Sequence, residues 1–166
     1  DVGQLRDDLE ILAAHHRPVG SQGEADAVRY LRDRFEEMGY SVTLQPYTDG
    51  QGRTGHNVAA VKAASVPDAD ILVLSAHHDS VPTAYGANDN ASGVAALLYT
   101  AEALRNVPTD TEVRFLSFTD EENGKNGSRT YTASLTEEER TRIVGAIQFD
   151  MLGGLGSTGT LVCTVD

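Results

Sequence analysis

Apolar positions along this chain change their spacing several times, and each change marks an element. Val2, Leu5, Leu9 and Leu12 recur three or four residues apart, which predicts a first helix running to about Ala14. His15, His16 and Arg17 sit at its end, where cations suit the helix dipole, and Pro18 breaks it. Ser21-Gln22-Gly23-Glu24 has the form of a capping box. It predicts a second helix with Val28, Leu31, Phe35 and Met38 inward and Gly39 as its stop. The spacing then drops to two. Residues 41–47 alternate through Val42 and Leu44, residues 57–61 read as a second short strand, and Asp49-Gly50-Gln51-Gly52 turns the chain between them. His56, beside Gly55, reads as a surface residue. After a turn at Pro67-Asp68, Ile71-Leu72-Val73-Leu74 reads as a buried strand. Behind it, Val94, Leu97, Leu98, Ala101 and Leu104 mark the buried face of a helix. Residues 113–118 form another strand, and the Asn-Gly pairs at 123–124 and 126–127 predict a flexible loop after it. Thr136-Glu137-Glu138-Glu139 repeats the capping-box form before a short helix, and residues 143–149 and 161–165 read as two further strands. With no internal repeat and no linker, residues 1–166 read as one α/β domain. The expected architecture is a three-layer sandwich, its central mixed, mostly parallel sheet flanked by helices.

Three of the apolar strands run into groups able to bind a metal or a proton. They are His77-His78-Asp79, then Asp120-Glu121-Glu122, then Asp150, with Asp89 joining them from the start of a helix. Taken singly, each has an ordinary explanation as a loop residue, and Glu121-Glu122 alone reads as a solvated pair. Strands of one sheet, however, can pool such groups at one edge, where open α/β sheets bind ligands. Carboxylates sharing a pocket repel one another and resist ionisation unless cations are present. Oxygen and imidazole ligands without thiolate suit zinc, manganese or cobalt. Two metals bridged by a carboxylate would serve hydrolysis.

Charge and cysteine content narrow the picture. The formal charge of −12 argues against a general phosphate-binding role, since nucleic-acid binders need basic surface. No apolar run reaches membrane-spanning length, so no membrane partner is expected. Cys163 is the single cysteine, leaving neither an intrachain disulfide nor a cysteine-based zinc site. The amino terminus is polar rather than signal-like. An extracellular or cell-envelope location, as for a secreted protein, is nonetheless the expectation, with any signal peptide removed before residue 1.

Four motifs in order then carry a resemblance. His77-His78-Asp79-Ser80, Asn88 to Gly93 (NDNASG), Glu121 to Gly124 (EENG) and Phe149 to Gly153 (FDMLG) are together similar to the co-catalytic zinc aminopeptidases, metallopeptidase family 28. Glutaminyl cyclases and certain zinc carboxypeptidases are relatives of that family. The resemblance begins near Arg17, in RPVGS, and runs to the end of the chain. It implies His77 and Asp150 as terminal ligands of one zinc, Asp89 as the carboxylate bridging two zinc ions, and Glu122 as a ligand of the second. It implies Glu121 as the general base that takes a proton from the attacking water, and Asp79 as the carboxylate that orients His77. His78 falls at the variable position of H-x-D, and on a strand it would face away from His77. The implied substrate is a peptide with a free amino terminus.

The pattern also breaks. The family's second metal takes a histidine from well beyond the F-D-M motif, and His15, His16, His56, His77 and His78 all precede it here. One well-formed metal site is therefore expected in this chain, together with a domain that is incomplete at its carboxy end. An uncovered edge at residues 161–165 would invite self-association. The competing expectations are a non-catalytic metal- or protein-binding module of the same fold and a glutaminyl cyclase-like enzyme.

Overall fold

Capping side chains set where the helices begin. In the computed structural model, which describes residues 1–154, Asp1 caps α1 (Val2–Leu12) by accepting from Gly3 N. Ser21 caps α2 (Gln22–Glu37) by accepting from Glu24 N at 3.1 Å. Only half of the expected capping box forms there. Ser21 N donates to Pro18 O, and the buried Glu24 carboxylate instead accepts from Gly20 N and from the Thr119 hydroxyl. Thr136 and Glu139 do form the reciprocal box at α5 (Glu137–Arg142). Gly39, at φ 85°, ends α2 in the left-handed conformation that glycine adopts without strain.

The strands are β1 (Ser41–Thr48), β2 (Thr54–Lys62), β3 (Ile71–His77), β4 (Glu112–Phe118) and β5 (Ile143–Gln148). They form one five-stranded sheet in the order β1-β2-β4-β3-β5. β1 and β2 pair antiparallel, as do β2 and β4, whereas β3 runs parallel to both β4 and β5. The sheet is mixed, and its parallel half carries the strand ends singled out above.

Both faces of the sheet are covered. On one face α1, α2 and α3 (Ser92–Leu104) pack Leu31, Phe35, Leu97, Leu98 and Ala101 against Val58, Leu74 and Phe115. On the other, Ile71, Val73, Leu116 and Phe118 meet Tyr131 of α4 (Asn126–Ser134). The period-two alternation of β3 and β4 thus feeds two cores at once. Helix α4 begins at the second Asn-Gly pair of the expected flexible loop and was not itself expected: NGSRTYTAS has too little apolar periodicity to announce a helix. Lys125 takes a left-handed conformation at its start, where the Asn-Gly signal had pointed to a turn. The strand expected at residues 161–165, with Cys163 and the edge expected to self-associate, lies outside the described residues.

Candidate metal centre

Parallel pairing brings the ends of β3, β4 and β5 to one edge of the sheet. His77 is the last residue of β3 and lies opposite Phe118, the last of β4. Just past β4, Asp120 takes a left-handed φ of 52° and turns the chain. Its buried carboxylate accepts from the Asn123 and Asn126 amides at 2.6 and 2.7 Å, holding Glu121 and Glu122 between them. Asp150 follows β5 with only Phe149 between them.

The Asn-Asp-Asn-x-Ser segment explains itself once the Asp150 segment is seen beside it. Asn90 is fully buried; its amide donates to Phe149 O at 2.9 Å, and its oxygen accepts from Gly93 N and Met151 N. Ser92 Oγ accepts from Leu152 N at 3.0 Å and Asn88 Oδ1 from Gly153 N at 2.8 Å. Alternate residues of this motif therefore hold the backbone of residues 149–153, while Asp89 between them faces the pool. The peptide joining Asp89 to Asn90 is cis. Gly93 is required by close approach, because a Cβ there would stand 2.3 Å from Asn90 Oδ1 and 2.4 Å from Phe149 O.

One ligand atom each from His77, Asp89 and Asp150 lies within 4.8 Å of the others. His77 Nε2 is 3.1 Å from Asp89 Oδ1, 3.8 Å from Asp150 Oδ1 and 3.9 Å from Glu121 Oε2. Despite this crowd, the buried Nε2 has no hydrogen-bond partner among the described residues, since Asp89 approaches outside hydrogen-bonding alignment. The opposite ring nitrogen, Nδ1, lies 3.3 Å from Asp79 Oδ1, which fixes the ring and aims Nε2 at the carboxylates. An imidazole nitrogen without a hydrogen-bond partner among the described residues, facing two half-exposed carboxylates, fits a divalent cation with an open position.

Asp79 does more than orient His77. Its two oxygens accept from Glu121 N at 3.0 Å and from Glu122 N at 3.2 Å, tying the β4 loop to the β3 end. Burial alone would raise this carboxyl, but His77 and the Glu121 amide hold it below the usual carboxylate range. Burial likewise pushes up the Glu122 and Asp150 carboxyls, and the charge of Asp89 pushes both the same way. Carboxylates crowded in this way repel one another, and a bound cation would offset that repulsion.

His77 shows the opposite response. Burial would lower its pKa, yet Asp79, Glu121 and Asp150 outweigh that and raise it from 6.5 to about 9. A group raised on folding contributes stability that is complete below pH 6.5 and lost as pH rises through about 9. The melting temperature of the metal-free chain should fall across that window, and His77→Gln should flatten the slope. An unchanged slope in the variant would contradict the assignment.

The remaining histidines stay out of the pool. His15 and His16 are exposed beyond the α1 cap residue, Ala13, and the His16 ring lies against that of Tyr85. His56 sits half-buried within β2. His78 turns away from His77 as expected, toward Ser117 and α2: its Nδ1 lies 2.9 Å from Ser117 Oγ and its Nε2 3.7 Å from Glu24 Oε1. Glu24 had read as half of a cap, and the signal of its buried role was a glutamate on the inward side of a helix. The anchors Asn88, Asn90 and Ser92 were written in the motif, but their partners were not.

A search against protein families matches residues 57–162 to the model described as Peptidase family M28. The aminopeptidase YwaD of Bacillus subtilis is 40% identical over 114 residues, covering 68% of this chain and 24% of the relative. Leupeptin-inactivating enzyme 1 of Streptomyces exfoliatus is 35% identical over 151 residues, covering 87% of this chain and 34% of the relative. The chain thus spans a quarter to a third of the length of these curated relatives. Among solved structures, a zinc aminopeptidase from Bacillus subtilis superposes with a TM-score of 0.87 at 17% identity, over 92% of this chain and 70% of that one. At that identity the likeness concerns the fold.

Proposed function

The chain belongs to peptidase family M28, and from that premise we propose that it is part of a zinc-dependent aminopeptidase. The observation that carries the reading is the convergence of His77, Asp89 and Asp150 on one point, with His77 Nε2 buried and without a hydrogen-bond partner among the described residues. His77 and Asp150 would be terminal ligands of one zinc ion, Asp89 the bridge, and Glu122 a ligand of a second ion. The chemistry that bound zinc supplies is Lewis-acid activation of water and of a scissile carbonyl near neutral pH.

The chain's own residues do the rest. Glu121, adjoining the trio, accepts the proton of the attacking water and returns it to the leaving amine. Asp79 keeps His77 in register and holds the backbone amides of Glu121 and Glu122. The surplus of carboxylates attracts the α-ammonium group of a substrate, which favours peptides with a free amino terminus.

Asp79→Asn keeps the shape but removes the charge that His77 and the two amides lean on. Zinc affinity should fall by roughly 10–100-fold, measured by calorimetry. Unchanged affinity would mean that Asp79 does not act through His77. The activity is tested on the full-length protein with an aminoacyl-nitroanilide beside an amino-terminal glutaminyl peptide. Nitroaniline release is the expected result, and cyclisation of the glutaminyl peptide alone would overturn the peptidase reading.

A further inference from the structure

Arg17 is among the largest wholly buried side chains of the protein, 1% exposed, and lies outside the catalytic groups described above. Every hydrogen bond found for its guanidinium goes to a backbone carbonyl. Nε donates to His78 O at 2.6 Å, Nη1 to Tyr85 O at 2.7 Å, and Nη2 to Gly86 O at 3.1 Å. Nη1 also donates to Leu12 O and to His15 O, at the end of α1. The backbone joins in, with Arg17 N donating to Ser80 Oγ at 2.9 Å and Ser80 N to Arg17 O at 3.2 Å.

These carbonyls are not a random set. His78 lies between His77 and Asp79, so Nε grips the peptide next to the imidazole ligand. Tyr85 and Gly86 lie on the approach to Asp89. Gly86 O also accepts from Ala91 N at 2.9 Å, which closes the turn containing Asp89. Space is tight at this point: Gly86 has φ 61°, and a Cβ on it would stand 2.4 Å from Asp89 O and 2.9 Å from Arg17 Nη2. One rigid, planar fork therefore spans the two segments that deliver His77 and Asp89.

We propose that Arg17 is a positioning residue for the metal centre, setting the separation of His77 from Asp89 by clamping the carbonyls of His78, Tyr85 and Gly86. The inference rests on the metal reading above. A lysine cannot replace it, because one ammonium is a compact point charge whose donors cannot span both segments. The contacts to α1 make Arg17 a stabilising residue as well, so a fall in melting temperature alone would not distinguish the two roles.

The test is zinc titration of the folded chain by calorimetry, with the visible absorption of bound cobalt(II) as a second readout. Wild type is compared with Arg17→Lys and with Arg34→Lys. Arg34 pairs with buried Asp8 at 3.1 Å between α1 and α2, bonds among the described residues only to Asp8 and Glu37, and serves as a structural control in the same helical layer. Arg17→Lys should weaken zinc binding by at least about 10-fold and alter the cobalt spectrum, while Arg34→Lys changes neither. Equal zinc affinity and an identical cobalt spectrum in Arg17→Lys would overturn the inference and leave the metal reading intact. Absence of zinc binding in wild type would overturn both. Should Arg17→Lys fail to fold, Ser80→Ala removes the acceptor of the Arg17 amide and takes its place. A smaller loss of affinity is expected there, and none would overturn the clamp.

Discussion

Glu121→Gln should cut turnover of the full-length protein by about 10²–10⁴-fold while leaving its metal bound. The carboxylate stands 3.9 Å from His77 Nε2, beside the trio rather than within it. It is about one-fifth exposed, so solvent and substrate can reach it. Its backbone amide is held by Asp79 at 3.0 Å, a bond that glutamine retains. The substitution therefore preserves shape and anchoring and removes only the ability to accept a proton. Paired measurements of kcat and of zinc content separate the two roles of the adjacent glutamates. Near-normal turnover would remove Glu121 from the mechanism, and loss of zinc would make it a ligand.

Metal removal should soften the fold itself. Asp89, Glu121, Glu122 and Asp150 crowd one edge of the sheet, and the raised Glu122 and Asp150 carboxyls register their burial and mutual repulsion. A cation that binds only the folded chain offsets that repulsion. At a free concentration 100-fold above its dissociation constant it stabilises by about 2.7 kcal/mol. For a domain of this size that corresponds to a melting shift of roughly 5–11 °C. Melting scans with zinc and with excess chelator should differ by that much, and the difference should vanish in Asp89→Asn. Identical scans for wild type would argue that the acidic pool tolerates itself without a cation.

Much of this arrangement was legible in the sequence because two periodicities are clean. Val94, Leu97, Leu98 and Ala101 are all fully buried, as their helical spacing predicts. The abrupt end of β3 at His77 marks the edge of the sheet. His78 pointing away from His77 follows from strand geometry alone. Pairwise partners could not be read in this way. That Asn90 would hold Phe149, or that Arg17 would reach Gly86, depends on strand order and loop path, which periodicity does not encode. Helix α4 was hidden for a different reason. Its packing relies on single contacts such as Phe118 with Tyr131, not on an apolar stripe. Glu24 was misread because S-x-x-E satisfies a local rule, whereas Gly20 and Thr119 offered its carboxylate buried partners.

The central claim is that the strand ends of β3, β4 and β5 assemble a metal centre around His77. Calorimetric titration of the metal-free chain with zinc tests this most directly, run in parallel on wild type, His77→Ala and Glu121→Gln. One tight site is expected in wild type, retained in Glu121→Gln and abolished in His77→Ala. Equal binding in wild type and His77→Ala would contradict the claim, as would the absence of any tight site in wild type.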